Sequence, residues 1–141
     1  MQWDAGKNLG FSSAPAKALY LPVDPSKDAP TVAGQQADPS SLWHCVQALL
    51  ALRQESPALT AKGKITLLRA SYPTVFLRSS GRSRYLVAVQ PAARDFTMTL
   101  KLSWTPHVSC LRLAEGMDAT LAKGRSLTIS GTGKSFGIWK L

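Results

Sequence analysis

Hydrophobic and polar positions change rhythm once along this chain of 141 residues, near residue 62. Residues 1–37 show no sustained period. Pro15, Pro22, Pro25 and Pro30 interrupt them, and because proline fixes φ and removes a backbone donor, this stretch is expected to be an extended arm with a turn at Pro25-Ser26-Lys27-Asp28. Asp38-Pro39-Ser40-Ser41 then reads as a helix start, with Asp38 as cap and Pro39 at the first helical position. Apolar positions recur at helical spacing to Ser56, where Pro57 ends the run. Leu42, Trp43, Cys45, Val46, Leu49, Leu50 and Leu52 cover about half of that cylinder, a width that implies burial on more than one side.

From Lys64 the period becomes two, broken by turn residues. The pattern predicts strands at 65–70, 74–78, 85–89, 96–102, 108–113, 119–122, 126–130 and 136–141. The breaks at Ser79-Ser80-Gly81-Arg82, Pro91-Ala92-Ala93, Glu115-Gly116-Met117-Asp118, Lys123-Gly124 and Gly131-Thr132-Gly133 read as turns. Short strands at this spacing imply a mainly β chain, an antiparallel Greek-key sandwich preceded by an extended arm and one α-helix. The implied segments are 1–37 (arm), 38–61 (helix) and 62–141 (sandwich). Alternation within 85–89 is expected to bury Val87 and turn Leu86 and Ala88 the other way. In 96–102 it is expected to put Met98, Leu100 and Leu102 on the core side and Thr97, Thr99 and Lys101 outside.

Charge separates the same two regions. Residues 1–61 carry four bases against five acids, and residues 62–141 thirteen bases against three acids, within a formal net charge of +9. A basic β module raises the possibility of nucleic acid binding. The bases are scattered singly, which fits a solvated sheet face better than a phosphate track, so neither a nucleic-acid nor a membrane partner is expected. No apolar run is long enough for a transmembrane helix. Cys45 and Cys110 form no disulfide framework, and His44 and His107 lack ligand spacing to them. The expectation is free thiols in a reducing cytoplasm, with no metal and no cofactor.

Catalytic chemistry is hard to find. The eight acids include no evident acid/base pair on a rigid element. There is no G-x-S-x-G. Gly131-Thr132-Gly133-Lys134-Ser135 lacks the earlier glycine and the following helix of a phosphate loop, so it reads as a turn. Asp4-Ala5-Gly6-Lys7-Asn8 has too few carboxylates for calcium. No catalytic residue is assigned. Among the aromatics, Trp104 beside Thr105-Pro106 is a candidate sugar platform, and Trp3 lies in loop.

The N-terminal third carries a resemblance. Met1-Gln2-Trp3-Asp4 with Asn8-Leu9-Gly10-Phe11-Ser12, then Leu19-Tyr20-Leu21-Pro22-Val23, Ala37-Asp38-Pro39-Ser40-Ser41-Leu42, Ala51-Leu52-Arg53 and Pro57-Ala58-Leu59, resembles oligo-1,6-glucosidase-like and α-glucosidase enzymes of glycoside hydrolase family 13, the α-amylase family. The β half resembles their all-β C-terminal domain by position and strand count. The resemblance implies the last loop and last helix of a catalytic (β/α)₈ barrel followed by that domain. It implies a parent that hydrolyses α-glucosidic oligosaccharides with retention, using carboxylates that lie earlier in the chain and have no counterpart here. It implies that Gln2, Trp3 and Asp4 sit at the rim of the parent's substrate pocket. The expected role is non-catalytic support of the barrel. The alternatives are a carbohydrate-binding module and a basic nucleic-acid-binding β-barrel. Without a barrel, the helix face of Leu42, Val46 and Leu49 is expected to be covered by a second copy, as a homodimer.

Overall fold

The computed structural model describes residues 2–105, 110–121 and 124–141. The chain divides into two compact units, Met1–Leu49 and Leu50–Leu141, with the boundary inside a helix. The start of the predicted strand 108–113, the end of the predicted strand 119–122 and Lys123 of the predicted Lys123-Gly124 turn lie outside the described residues.

In the first unit the arm is more structured than its prolines suggest. Two short 3₁₀ turns, Lys7–Gly10 and Ala16–Ala18, precede an unforeseen helix α1 (Val32–Ala37) capped by the Thr31 hydroxyl, which accepts from the Gly34 N–H at 3.1 Å. The turn expected near Pro25 forms: Ala29 N–H donates to the Ser26 carbonyl at 3.2 Å. Helix α2 (Leu42–Glu55) begins later than expected. Asp38 does not cap it. Its carboxylate closes a local turn, accepting from Ser40 N–H at 2.9 Å and Ser40 Oγ–H at 2.7 Å. The free amide of Trp43 is instead satisfied by Gln35 Oε1, at 3.0 Å, from α1. An acceptor eight residues upstream does the capping.

Among the described residues the second unit has six strands rather than eight: β1 (Lys64–Arg69), β2 (Thr74–Ser80), β3 (Ser83–Gln90), β4 (Phe96–Lys101), β5 (Cys110–Leu121) and β6 (Ser126–Lys140). All pairings are antiparallel, in the order β1-β2-β3-β6-β4, with β5 also on β6. Two predicted turns are irregularities inside long strands. At Gly116 (φ +63°) β5 runs on through a register shift between Glu115 and Met117, opposite a β6 segment that advances from Gly131 to Phe136. There β6 kinks without ending. A Cβ on Gly133 would lie 2.5 Å from the backbone of Ala93 and Arg94, and Lys134 N–H donates to the Ala92 carbonyl at 3.0 Å. Glycine is needed there because another backbone passes close by, which sequence cannot distinguish from a turn.

The kink lets one sheet curl over a single core. Val75, Leu86, Ala88 and Trp139 from β2, β3 and late β6 meet Met117, Leu127 and Ile129 from β5 and early β6, with Leu102 after β4. The β4 register is as predicted: Met98 and Leu100 pack against this core while Thr97, Thr99 and Lys101 are exposed. The β3 parity is the reverse of the prediction. Leu86 and Ala88 are fully buried, Val87 is half-buried and Val89 is exposed. Tyr85, also on the outer face, is buried, and the turn Pro57–Leu59 packs against β2 and β3. Arg78 donates to the carbonyls of Ala58 and Thr60, fastening that turn to the sheet.

Candidate functional site

The N-terminal loop is built around one carboxylate. Asp4 Oδ1 accepts from Gly6 N–H at 2.7 Å, and the carboxyl group sits where a Cβ on Gly10 would lie, 2.7 Å from Oδ2. Asn8, Leu9 and Gly10 are consecutively left-handed, with φ of 51°, 54° and 67°. For a side chain such as leucine that conformation costs roughly 1–2 kcal/mol. Trp3 N–H donates to Leu9 O at 2.7 Å, and Asn8 Nδ2 donates to the carbonyls of Ser12 at 2.7 Å and Ala14 at 2.8 Å. These bonds hold the loop against its strain.

Gln2 ties this loop to the rest of the unit. Its Nε2 donates to Pro30 O at 3.2 Å and its Oε1 accepts from Asp24 N–H at 3.1 Å. Val32 and Ala33 N–H donate to the carbonyls of Gln2 and Trp3, at 3.0 and 2.9 Å. Both polar ends of Gln2 and one oxygen of Asp4 are therefore engaged internally. Within the loop, Trp3 and Phe11 are large side chains left outside, 49% and 57% exposed. Two shallow cavities adjoin Gln2, one of about 270 Å³ lined by Phe11, Leu21, Pro22 and Val23, the other of about 240 Å³ lined by Pro30, Thr31, Val32, Gln35 and Trp43. Sequence reading missed Phe11 as a surface aromatic, although it lies within the quoted Asn8–Ser12 motif.

Trp104 lies in the second unit. It is half-buried against the core, and its buried indole N–H has no hydrogen-bond partner among the described residues. It lines a cleft of about 300 Å³ with Gly81, Arg82, Arg84, Thr105 and Leu141.

The carboxylates have ordinary structural tasks. Asp24 and Asp38 are held below the usual carboxylate range by bonds from the Ser26 and Ser40 hydroxyls and then from the same residues' amides. A general acid needs the opposite shift. Asp95 accepts from Gly133 N–H at 3.2 Å and Asp118 from Ala119 N–H at 2.7 Å. Among the described residues no group of three His, Cys, Asp or Glu could hold a metal, and no helix is long and apolar enough to cross a membrane. Cys45 is a half-buried free thiol.

No family model matches the chain. Curated relatives do. An α-glucosidase of Pediococcus pentosaceus is 34% identical over 112 residues, 79% of this chain and 19% of the relative. A probable oligo-1,6-glucosidase 2 of Bacillus subtilis is 35% identical over 77 residues, 55% of this chain and 13% of the relative. The chain thus spans less than a fifth of the length of either. Among solved structures, the trehalulose synthase MutB from Pseudomonas mesoacidophila MX-45 superposes with a TM-score of 0.79 at 25% identity, over 99% of this chain and 24% of that one. An A258V variant of the synthase, bound to Tris, gives 0.82 at the same identity.

Proposed function

Because the chain corresponds to the C-terminal part of a family 13 glycoside hydrolase of the α-glucosidase type, we propose that it is the non-catalytic portion that supports the catalytic barrel of such an enzyme. The observation that carries this reading is the coverage: nearly the whole chain superposes on a quarter of a family 13 enzyme. The proposed parent hydrolyses α-glucosidic oligosaccharides through a carboxylate pair outside this sequence, in a reducing cytoplasm where Cys45 stays a thiol. In it the left-handed loop presents Trp3 at the pocket rim, while Gln2 and Asp4 shape and anchor that loop. Their internal hydrogen bonds support this division of labour.

Alone, the chain should not turn over an aryl α-glucoside. Activity that survives repurification and vanishes with Asp4→Asn would overturn the reading. The isolated chain is also proposed to form a homodimer through α2. Leu42 is 69% and Val46 44% exposed, Leu50 continues the same stripe one turn on, and Leu49 is half-buried beside it. Covering each large apolar side chain gains roughly 1.5–3 kcal/mol, and so large a bare stripe is uncommon on a monomer. Light scattering should give twice the chain mass, reverting to one chain in Leu42→Glu/Val46→Glu. A wild-type monomer at high concentration refutes the dimer and leaves the family reading intact.

A further inference from the structure

The cleft beside Trp104 has a one-sided chemistry that a supporting role does not require. Among the described residues its polar side chains are the guanidinium groups of Arg82 and Arg84, the indole N–H of Trp104 and the Thr105 hydroxyl. Guanidinium and indole can only donate hydrogen bonds. Among the described residues the buried indole N–H has no partner and neither arginine side chain is bonded or ion-paired. Among the described residues no carboxylate side chain lines the cleft, and Asp95 and Asp118 accept from backbone amides elsewhere. A buried donor without an acceptor is costly. Adjacent unpaired positive charges add repulsion. One anion carrying several acceptor oxygens would relieve both.

The hairpin supplies the arrangement. Ser80 pairs with Ser83, so Gly81 and Arg82 form a two-residue turn between β2 and β3, and Gly81 has a φ of +56°. A Cβ at Gly81 would meet nothing within 4 Å, so the space over the turn is open. Arg84, on β3 just beyond the turn, lines the same cleft as Arg82. Its carbonyl accepts from Leu141 N–H at 3.0 Å, which fixes the backbone beneath it. Trp104 is held by its packing on the core. A volume of about 300 Å³ is at the small end for ligand sites and suits a group the size of a phosphorylated monosaccharide.

We propose that Arg82, Arg84 and the Trp104 indole N–H form a binding site for a small phosphate-bearing ligand, a sugar phosphate or free phosphate, separate from any glycosidic pocket. Arginine pairs suit phosphate because their planar forks match its oxygens. The test follows the Trp104 indole N–H signal in ¹⁵N–¹H NMR spectra of the full 141-residue chain, assigned by its loss in Trp104→Phe. Glucose 6-phosphate, inorganic phosphate, glucose and maltose are titrated at constant ionic strength. Glucose 6-phosphate should shift the signal saturably. Inorganic phosphate shifting it equally would identify the phosphate alone as the ligand, and weaker binding of phosphate would assign part of the affinity to the sugar. Arg82→Gln/Arg84→Gln, with an unchanged backbone spectrum, should weaken the response at least about tenfold. A shift produced by glucose or maltose as strongly as by glucose 6-phosphate would overturn the proposal in favour of a neutral sugar platform. No saturable shift with either phosphate, or one unchanged in the arginine variant, would also overturn it.

Discussion

Gly137 is the position where the packing makes its sharpest energetic demand. It pairs with Ala88 on one side and Ala114 on the other, so three small residues lie in a row across β3, β6 and β5. The indole of Trp139, two residues on and 1% exposed, lies back over that row. A Cβ on Gly137 would stand 2.1 Å from Cη2 and 2.4 Å from Cζ2 of the ring. In a strand with free space, Gly→Ala gains about 0.5–1 kcal/mol, because alanine has less unfolded-state freedom to lose. Here the ring must move within a filled core, and overpacking costs about 1–3 kcal/mol. The two effects differ in sign, so direction alone decides. Gly137→Ala should destabilise the chain by about 1–2 kcal/mol in urea unfolding followed by circular dichroism, lowering Tm by at least about 5 °C for a unit of this size. Trp139→Leu should cost about 2–4 kcal/mol by itself. With the ring gone, Gly137→Ala should add nothing or stabilise, giving a coupling of at least about 1 kcal/mol in the double-mutant cycle. A neutral or stabilising Gly137→Ala in the wild-type background, or strictly additive costs, would refute the account of the ring over the glycine.

Other expectations follow from the same geometry. Leu86→Ala should cost about 2–5 kcal/mol and Val89→Thr less than about 0.5, in chemical denaturation; the reverse ranking would restore the opposite parity of β3. Gly10→Ala places a side chain at φ +67° against the Asp4 carboxylate and should cost about 1–2 kcal/mol of local stability, read as faster exchange of the Trp3 amide, which donates within the loop. Gln2→Ala should speed exchange of the Asp24 amide while leaving amides of β3 and β6 unchanged; equal protection would show that the Gln2 side chain does not anchor that segment. Asp24 and Asp38 have depressed pKa values when folded, so the stability they add is complete above the ordinary carboxylate value near 3.8 and is lost as pH falls through the lower folded values. Asp24→Asn/Asp38→Asn should therefore flatten the loss of stability below about pH 4, and an unchanged acid limb would contradict those hydrogen bonds.

Local chemistry sufficed for the change of period near residue 62, the helix ended by Pro57 and the β4 register. Each rests on neighbours in sequence: alternation, a proline, or the residue types present. The ordered motifs from Gln2 to Leu59 likewise carried the family resemblance without any knowledge of the fold. Other features depended on partners distant in the chain. The Asp38 signal was a genuine turn signal, but the α2 amide it was expected to satisfy is taken by Gln35. Residues 85–89 are apolar on both faces, so alternation could not choose between them; the burying face was decided by Trp139 on β6 and by Val75 and Leu77 on β2. Gly116 and Gly131-Thr132-Gly133 resembled turns because glycine signals backbone freedom or close approach without saying which. The approach of residues 92–95 converted one into a kink, and the long β5–β6 pairing carried the other as a register shift. Trp104 was recognisable as an aromatic beside a loop, whereas its buried indole N–H and the two arginines of the cleft exist as a group only after the sheet has curled. Side-chain type and spacing are local properties; the identity of the group opposite is set by long-range strand pairing and core packing.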